Sequence, residues 1–334
     1  MADSQIPKRY FYHSFPRRMR ASANELVNGL AILELIRDFG LLLTPEIARW
    51  EYPHADGTSP RSAAMIQRRV SFTELSPSEL APHSEEFGHF ALEFEINTLK
   101  LLGAMPVFYV PRADCGAGSL ADTIVMQIID AMRLTDRIAR VASILEQAPA
   151  DQATIPFTFG MTDDQKVYGL NPAQAKEMLQ GVGHGLTPPK MLSDTLEGAL
   201  NFFYPADARN SDALKYYRQR EWRISVNYAI NGEEVMRLPS EALIARLLAL
   251  DGDFFGRVFP PSDQIISNTS IKDISQKRLV DWAYVLSGLD GKHILELVRR
   301  VIVPDDAVEE ARKILASIKL ASAVVGFSQI EEWT

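Results

Sequence analysis

The tripeptide Gln219-Arg220-Glu221 lies in KYYRQREWRISVNY, where large apolar residues alternate with charged ones as in a half-buried strand. On such a strand Gln219 and Glu221 share one face and Arg220 points the other way. A carboxylate held there can stabilise a sugar cation of oxocarbenium character, and the amide beside it can orient an incoming acceptor. The plainer reading of the same residues is an ion-pair ladder of Arg218, Glu221 and Arg223 on a solvated face. In RRVSFTEL, Ser71 and Thr73 fall on one strand face and Phe72 on the other. Such hydroxyls can orient a neighbouring carboxylate or bind a sugar, although many sheet-face hydroxyls do neither. His13 and Ser14, followed by Arg17, Arg18 and Arg20, offer an imidazole that can donate to a ribose hydroxyl or a phosphate, with cations near it. A lone histidine of this kind is more often structural.

Those three stretches also hold the concentrated positive charge. Residues 8–20 carry Lys8, Arg9, Arg17, Arg18 and Arg20 with no acid; residues 61–69 carry Arg61, Arg68 and Arg69 with no acid; residues 215–223 carry Lys215, Arg218, Arg220 and Arg223 against Glu221 alone. The whole chain of 334 residues has a net charge of -8, so the remainder is strongly acidic. This balance argues against a protein that coats nucleic acid and leaves room for a local anion site.

The elements that must position these residues read as an α+β chain with a mixed, mainly antiparallel sheet and helical insertions. RYFYHSF reads as a strand. Leu26, Leu30, Leu33, Ile36 and Leu41 read as a helix ending near Gly40. Residues 51–64 read as a loop, RRVSFTEL as a strand, and FGHFALEFE and AMPVFYVPR as two strands around a short helix or turn. Residues 119–147 form the longest helical pattern, TIPFTF and KVYGL two short strands, and 239–250 and 274–289 short helices. The end reads as strand, helix and a last strand in ASAVVGFSQI. We expect a core over 1–230 with a helical insertion near 119–147, and an α/β extension over 231–334 packed on it as one compact unit.

Several function classes lack their motifs. The chain has no Walker phosphate loop, Rossmann glycine fingerprint, nucleophile elbow, HExxH or CxxC. GVGHG at 181–185 is followed by Thr-Pro-Pro, which blocks the helix a phosphate loop needs. The six histidines are scattered and no metal site is expected. Cys115 is the only cysteine, so no internal disulfide forms, and no signal-like or spanning apolar run is present. A cytoplasmic location and no membrane partner are the expectation.

FYHSF, GLLLTPE, RRVSFTEL, HSEEFGHFALEFEINTLKLLGAMPVFYV and YYRQREWRI, in that order, resemble the AbiGi-type family of abortive-phage-resistance proteins, described as antitoxins. The resemblance covers roughly residues 9–110 and 214–226, with Phe87-Gly88 in place of Tyr-Gly and Gln219 in place of a first Glu. At a greater distance the same order is similar to the ADP-ribosyltransferase fold. That resemblance implies an ADP-ribosyltransferase-like core, NAD as substrate and transfer of ADP-ribose to a protein or nucleic-acid acceptor. It implies that His13 grips NAD, with Ser14, Arg17 and Arg69 in the cofactor site. Ser71 and Thr73 brace the site, Glu221 stabilises the ribosyl cation, and Gln219 positions the acceptor. A non-catalytic antitoxin or regulator on the same scaffold, bound to a cognate toxin or antitoxin protein or to nucleic acid, is the rival expectation.

Overall fold

In the computed structural model, residues 8–17, 25–52, 61–111, 120–147, 155–159, 166–174, 176–177, 189–206, 220–225, 229–230, 233–258 and 277–331 are described. The elements run β1 (Tyr10–Phe15), α1 (Glu25–Phe39), β2 (Leu41–Tyr52), β3 (Arg61–Leu75), α2 (Pro77–Phe87) and β4 (Phe90–Phe94). Then come α3 (Ile96–Leu101), β5 (Met105–Pro106), β6 (Phe108–Pro111), α4 (Leu120–Gln147), β7 (Ile155–Phe159) and β8 (Lys166–Leu170). The helix Pro189–Leu200, β9 (Phe203–Ala206) and β10 (Glu221–Ser225) follow.

Contacts divide the chain into two units, residues 1–122 with 201–334, and residues 123–200. The first unit is built on one α+β sheet with the strand order Met236–Arg237, Tyr284–Leu286, β2, β3, β1, β4, Arg300–Val303, Val324–Gly326. Its pairings are antiparallel except for the last, in which Val301–Val303 run parallel to Val324–Gly326. Strands from beyond residue 230 therefore lie at both ends of this sheet. The second unit holds most of α4, the β7–β8 hairpin and the helix Pro189–Leu200. Among the described residues no helix is long and apolar enough to cross a membrane.

Two segments differ from the expectation. Leu41–Tyr52 is a strand, not the end of a helix and a loop, and it pairs from Thr44↔Arg69 through Tyr52↔Arg61 with β3. Gly40, at φ 110, ends the helix, and a Cβ there would meet the Leu286 carbonyl oxygen at 2.3 Å. Residues 53–60 of the expected loop lie outside the described residues. Within 274–289, Leu279–Trp282 is a single tight turn and Tyr284–Leu286 is a strand on Leu41–Leu43. Cross-strand pairing and burial of Val285 and Leu286 outweigh the local helical spacing there.

The sheet has two chemically different faces. Phe11, Phe15, Val70, Phe72, Phe90, Leu92, Phe94, Ile224 and Val301 form one buried cluster, with Leu33 and Ile36 of α1. Gly29 lets α1 approach this layer, since a Cβ there would stand 2.2 Å from the Phe90 ring. Burying a phenylalanine contributes about 1.5–3 kcal/mol, so these rings dominate the cohesion of the sheet. The opposite face carries Tyr12, Gln67, Arg69, Ser71, Thr73, Glu93, Glu221 and Arg223, as strand alternation and register require.

Candidate functional site

β3 is the strand that assembles the site. Along one edge it pairs with β2 up to Arg69 and with β1 from Thr73. Along the other it pairs with β10 from Arg69↔Ser225 to Thr73↔Glu221. The three strands that carry His13, Ser71 and Glu221 are thus neighbours, in the order β1, β3, β10. Between the β2 and β1 pairings the Ser71 carbonyl accepts a hydrogen bond from His13 Nδ1, 2.9 Å away. A carbonyl only accepts, so Nδ1 carries a proton. Burial lowers the His13 pKa below 6.5, more than the bond to Ser71 raises it, which makes the ring neutral with Nε2 as an acceptor.

Arg220, at φ 43, takes a left-handed turn immediately before β10. Its Nε donates to the Glu74 carbonyl at 3.0 Å and its Nη2 reaches Glu79 Oε1 at 2.7 Å. Glu221 then enters the strand on the face of Ser71. Ser71 Oγ donates to Glu221 Oε1 at 2.6 Å, and Arg223 contributes Nε to Oε1 at 2.7 Å and Nη2 to Oε2 at 3.3 Å. The Tyr109 hydroxyl, from β6, donates to Oε2. Four hydrogen bonds occupy about the four lone-pair sites a carboxylate has.

The network continues towards β2. Arg69 Nη1 donates to Gln67 Oε1 at 2.6 Å, and Arg69 also pairs with Glu46. Tyr204 donates to Glu46 Oε1 at 2.9 Å, and both Arg69 and Arg223 lie 4.7 Å from the centre of its ring. Gln67, fully buried, anchors the cluster by donating to the Phe203 carbonyl at 2.9 Å. Burial alone would raise the Glu221 pKa, but the Arg223 charge and hydrogen bond, with help from Arg69 and Ser71, hold it at about 2. Burial, the nearby Glu221 charge and the bond to Glu221 push the Tyr109 phenol up, so it stays a neutral donor.

Glu221 borders a cleft of about 440 Å³ lined by the Pro106–Tyr109 segment, Arg220–Trp222 and Glu74. Phe108, 53% exposed and stacked on Phe203 with centroids 5.4 Å apart, and Trp222 give this cleft an aromatic wall.

The structure brings together Ser71, Glu221 and Arg69, with Thr73 directly across from Glu221 in register. It places His13 on the other face, where its ring lies 5.7 Å from that of Phe72 and 6.0 Å from that of Phe15. The reason is the period of two: His13 shares its face with Phe11 and Phe15, whereas Ser71 and Glu221 share theirs with Tyr12. His13 therefore touches the site through the Ser71 backbone. Ser14 lies on the Glu221 face, its hydroxyl buried and unpaired among the described residues. The Arg17 guanidinium stands 5.5 Å from the Phe87 ring centre, at the end of α2. Gln219, Arg18, Arg20 and Arg218 lie outside the described residues.

Sequence reasoning missed Tyr109, Tyr204, Glu46 and Gln67. One signal was available: Gln67, Arg69, Ser71 and Thr73 are polar at every second position against Ile66, Val70 and Phe72, which marks a polar strand face. The Arg223–Glu221 ion pair is present but buried, with side chains 2% and 12% exposed, so it is no ladder on a solvated surface. No family model, curated protein or solved structure matches the chain.

Proposed function

We propose that this chain is a cytoplasmic bacterial phage-defence protein whose cleft takes a nucleotide, NAD foremost, with Glu221 as the fixed anion beside the reacting ribose. The observation that carries this reading is the 2.6 Å bond from Ser71 Oγ to Glu221 Oε1, which joins residues 150 apart at the border of the aromatic cleft. The sequence resemblance implies that pairing of a bracing serine with a late-strand glutamate. A carboxylate with a pKa of about 2 is ionised at every physiological pH, as the stabilisation of a ribosyl cation demands. In the reaction the bond from the ribose anomeric carbon to the nicotinamide nitrogen breaks, and its electron pair leaves with neutral nicotinamide. The acceptor then bonds to that carbon and gives up its proton to solvent. A ligand hydroxyl takes the place of the Tyr109 phenol on Oε2, Gln219 orients the acceptor, and His13 is a positioning residue that holds the Ser71 backbone.

A specific observation favours a second reading, a non-catalytic antitoxin or regulator. The Glu221 carboxylate is bound by four donors, and Arg69, Arg220 and Arg223 are each paired with a carboxylate. A site so neutralised has little charge left for a pyrophosphate. Isothermal titration with NAD, together with an assay of nicotinamide release, separates the two. Binding that Tyr109→Phe strengthens, with release lost in Ser71→Ala, supports the nucleotide reading. No heat and no release from the wild type, with a toxin or nucleic acid retained in a salt-sensitive complex, supports the regulator.

A further inference from the structure

α4 carries two apolar faces. One is buried and consists of Val125, Met126, Ile129 and Met132. The other is exposed: Ile124 is 42%, Leu134 54% and Ile138 36% open, and Ala131 between them is exposed as well. The spacing 124, 131, 134, 138 is that of the two seam positions of a heptad, in which residues seven apart alternate with residues three or four apart. An amphipathic surface helix needs one apolar stripe to face its own core. A second, exposed stripe with heptad spacing is the pattern through which one helix packs on another.

We propose that α4 pairs through this stripe with α4 of a second copy of the chain, antiparallel and about a two-fold axis near Ala131 and Leu134. Charge selects both the occupant and the direction. With Ile124, Ala131 and Ile138 at one seam position and Gln127 and Leu134 at the other, the flanking position just before each of the first set is held by Thr123, Asp130 and Arg137, of which the last two are charged. In a parallel pair these would face Thr135 and Ala142 of the other copy, with no charge to match. In an antiparallel pair Asp130 faces Arg137 of the other copy, and the two-fold axis makes the same contact twice. Asp130 and Arg137 are both exposed. Within its own helix Asp130 lies 3.9 Å from Arg133, an exposed contact of small worth. The helix Pro189–Leu200 meets α4 where Ser193 Oγ donates to the Met132 carbonyl at 3.4 Å, on the buried side of α4.

The test is the molar mass of the full-length protein by sedimentation equilibrium across a concentration series. We expect a monomer–dimer equilibrium that Leu134→Asp shifts at least tenfold towards monomer with helical circular dichroism unchanged. Asp130→Arg alone and Arg137→Asp alone should each weaken the dimer several-fold, and the double exchange should restore it. Residues seven apart on one helix are not neighbours, so rescue identifies a contact between copies. A wild type that stays monomeric at every concentration, a dimer indifferent to Leu134→Asp, or a double exchange no better than the single ones overturns the proposal. Should Leu134→Asp unfold the chain, the charge exchanges alone decide it.

Discussion

Arg223 grips Glu221 from two residues along the same strand, Nε to Oε1 at 2.7 Å, with only 2% of the arginine side chain and 12% of the glutamate exposed. Two opposite charges are sealed together beneath Tyr109 and Tyr204. The carboxylate that the sequence offers as a lone chemical group is therefore also a structural one.

Breaking a buried pair by removing one partner leaves the other charged and desolvated, at about 3–5 kcal/mol. Glu221→Gln and Arg223→Ala should each lower the melting temperature markedly. The double variant Glu221→Gln with Arg223→Met should recover much of that loss, because no unpaired charge remains. Calorimetry on the three variants checks it; a melting point untouched by Glu221→Gln would show that the pair is not buried in solution. Loss of activity in Glu221→Gln must accordingly be read only at temperatures where the variant is folded.

Acid should act on the same pair. Glu221 sits at about 2 in the fold against 4.5 for the free group, so between these values the unfolded chain binds more protons. The contribution is full above pH 4.5 and is lost as pH falls through 2, on the order of 3 kcal/mol in total. Burial would raise Glu79, but the Ser76 backbone N–H and Arg220 bring it to about 2 as well, and it titrates alike in both proteins. Urea unfolding from pH 6 to 3 should show a shallower acid loss for the double variant than for the wild type. Parallel curves would contradict the assignment.

His13 should report its own environment. Its lowered pKa makes the folded chain bind fewer protons than the unfolded chain near pH 6, so this contribution is full above 6.5 and declines as pH falls below it. Nitrogen NMR at about pH 8 should show a neutral ring protonated on Nδ1. An imidazolium, or a proton on Nε2, would remove the bond to the Ser71 carbonyl from the account.

Tyr109→Phe deletes one donor to Glu221 and leaves the other three. A hydrogen bond to a charged group contributes about 1.5–3 kcal/mol, so stability should fall by roughly that amount. Oε2 then lacks its phenolic donor, and an added ribose-bearing ligand should restore part of the lost melting temperature. No thermal shift with NAD in this variant would count against ribose as the group that replaces the phenol.

Gly29→Ala tests the packing rather than the site. The added methyl would overlap the Phe90 ring, which lies among Phe15, Leu92 and Phe94 in a dense layer. About 1–3 kcal/mol of destabilisation is expected from overpacking, measured by denaturant midpoint at unchanged slope. A neutral outcome would mean that α1 lies further from the sheet.

Local patterns in the sequence carried several elements. The 28-residue α4, the helix stop at Gly40 and the alternation of Tyr10–Phe15 and Glu221–Ser225 are all visible in residue spacing. The period of two in YFYHSF groups His13 with Phe11 and Phe15, but which set meets the aromatic layer was not legible, because Tyr10 and Tyr12 of the other set are just as buried. Leu41–Tyr52 and Tyr284–Leu286 were not legible, because leucine runs and mixed spacings suit a helix as well as a strand until a partner strand exists.

What the sequence by itself determined is which residues share a strand face, since covalent geometry alternates side chains whatever the fold does. That rule puts Ser71 with Thr73, and Glu221 with Arg223. Only the tertiary structure decided that these two faces become one, that Tyr109 and Tyr204 close over them and that Gln67 and Glu46 complete the network. Those contacts join segments as much as 158 residues apart, and register between distant strands is set by burial of the opposite, aromatic face. The charge state follows from the same assembly. A glutamate in the sequence is an ordinary acid; sealed against Arg223 and Ser71 it keeps its charge until pH falls towards about 2.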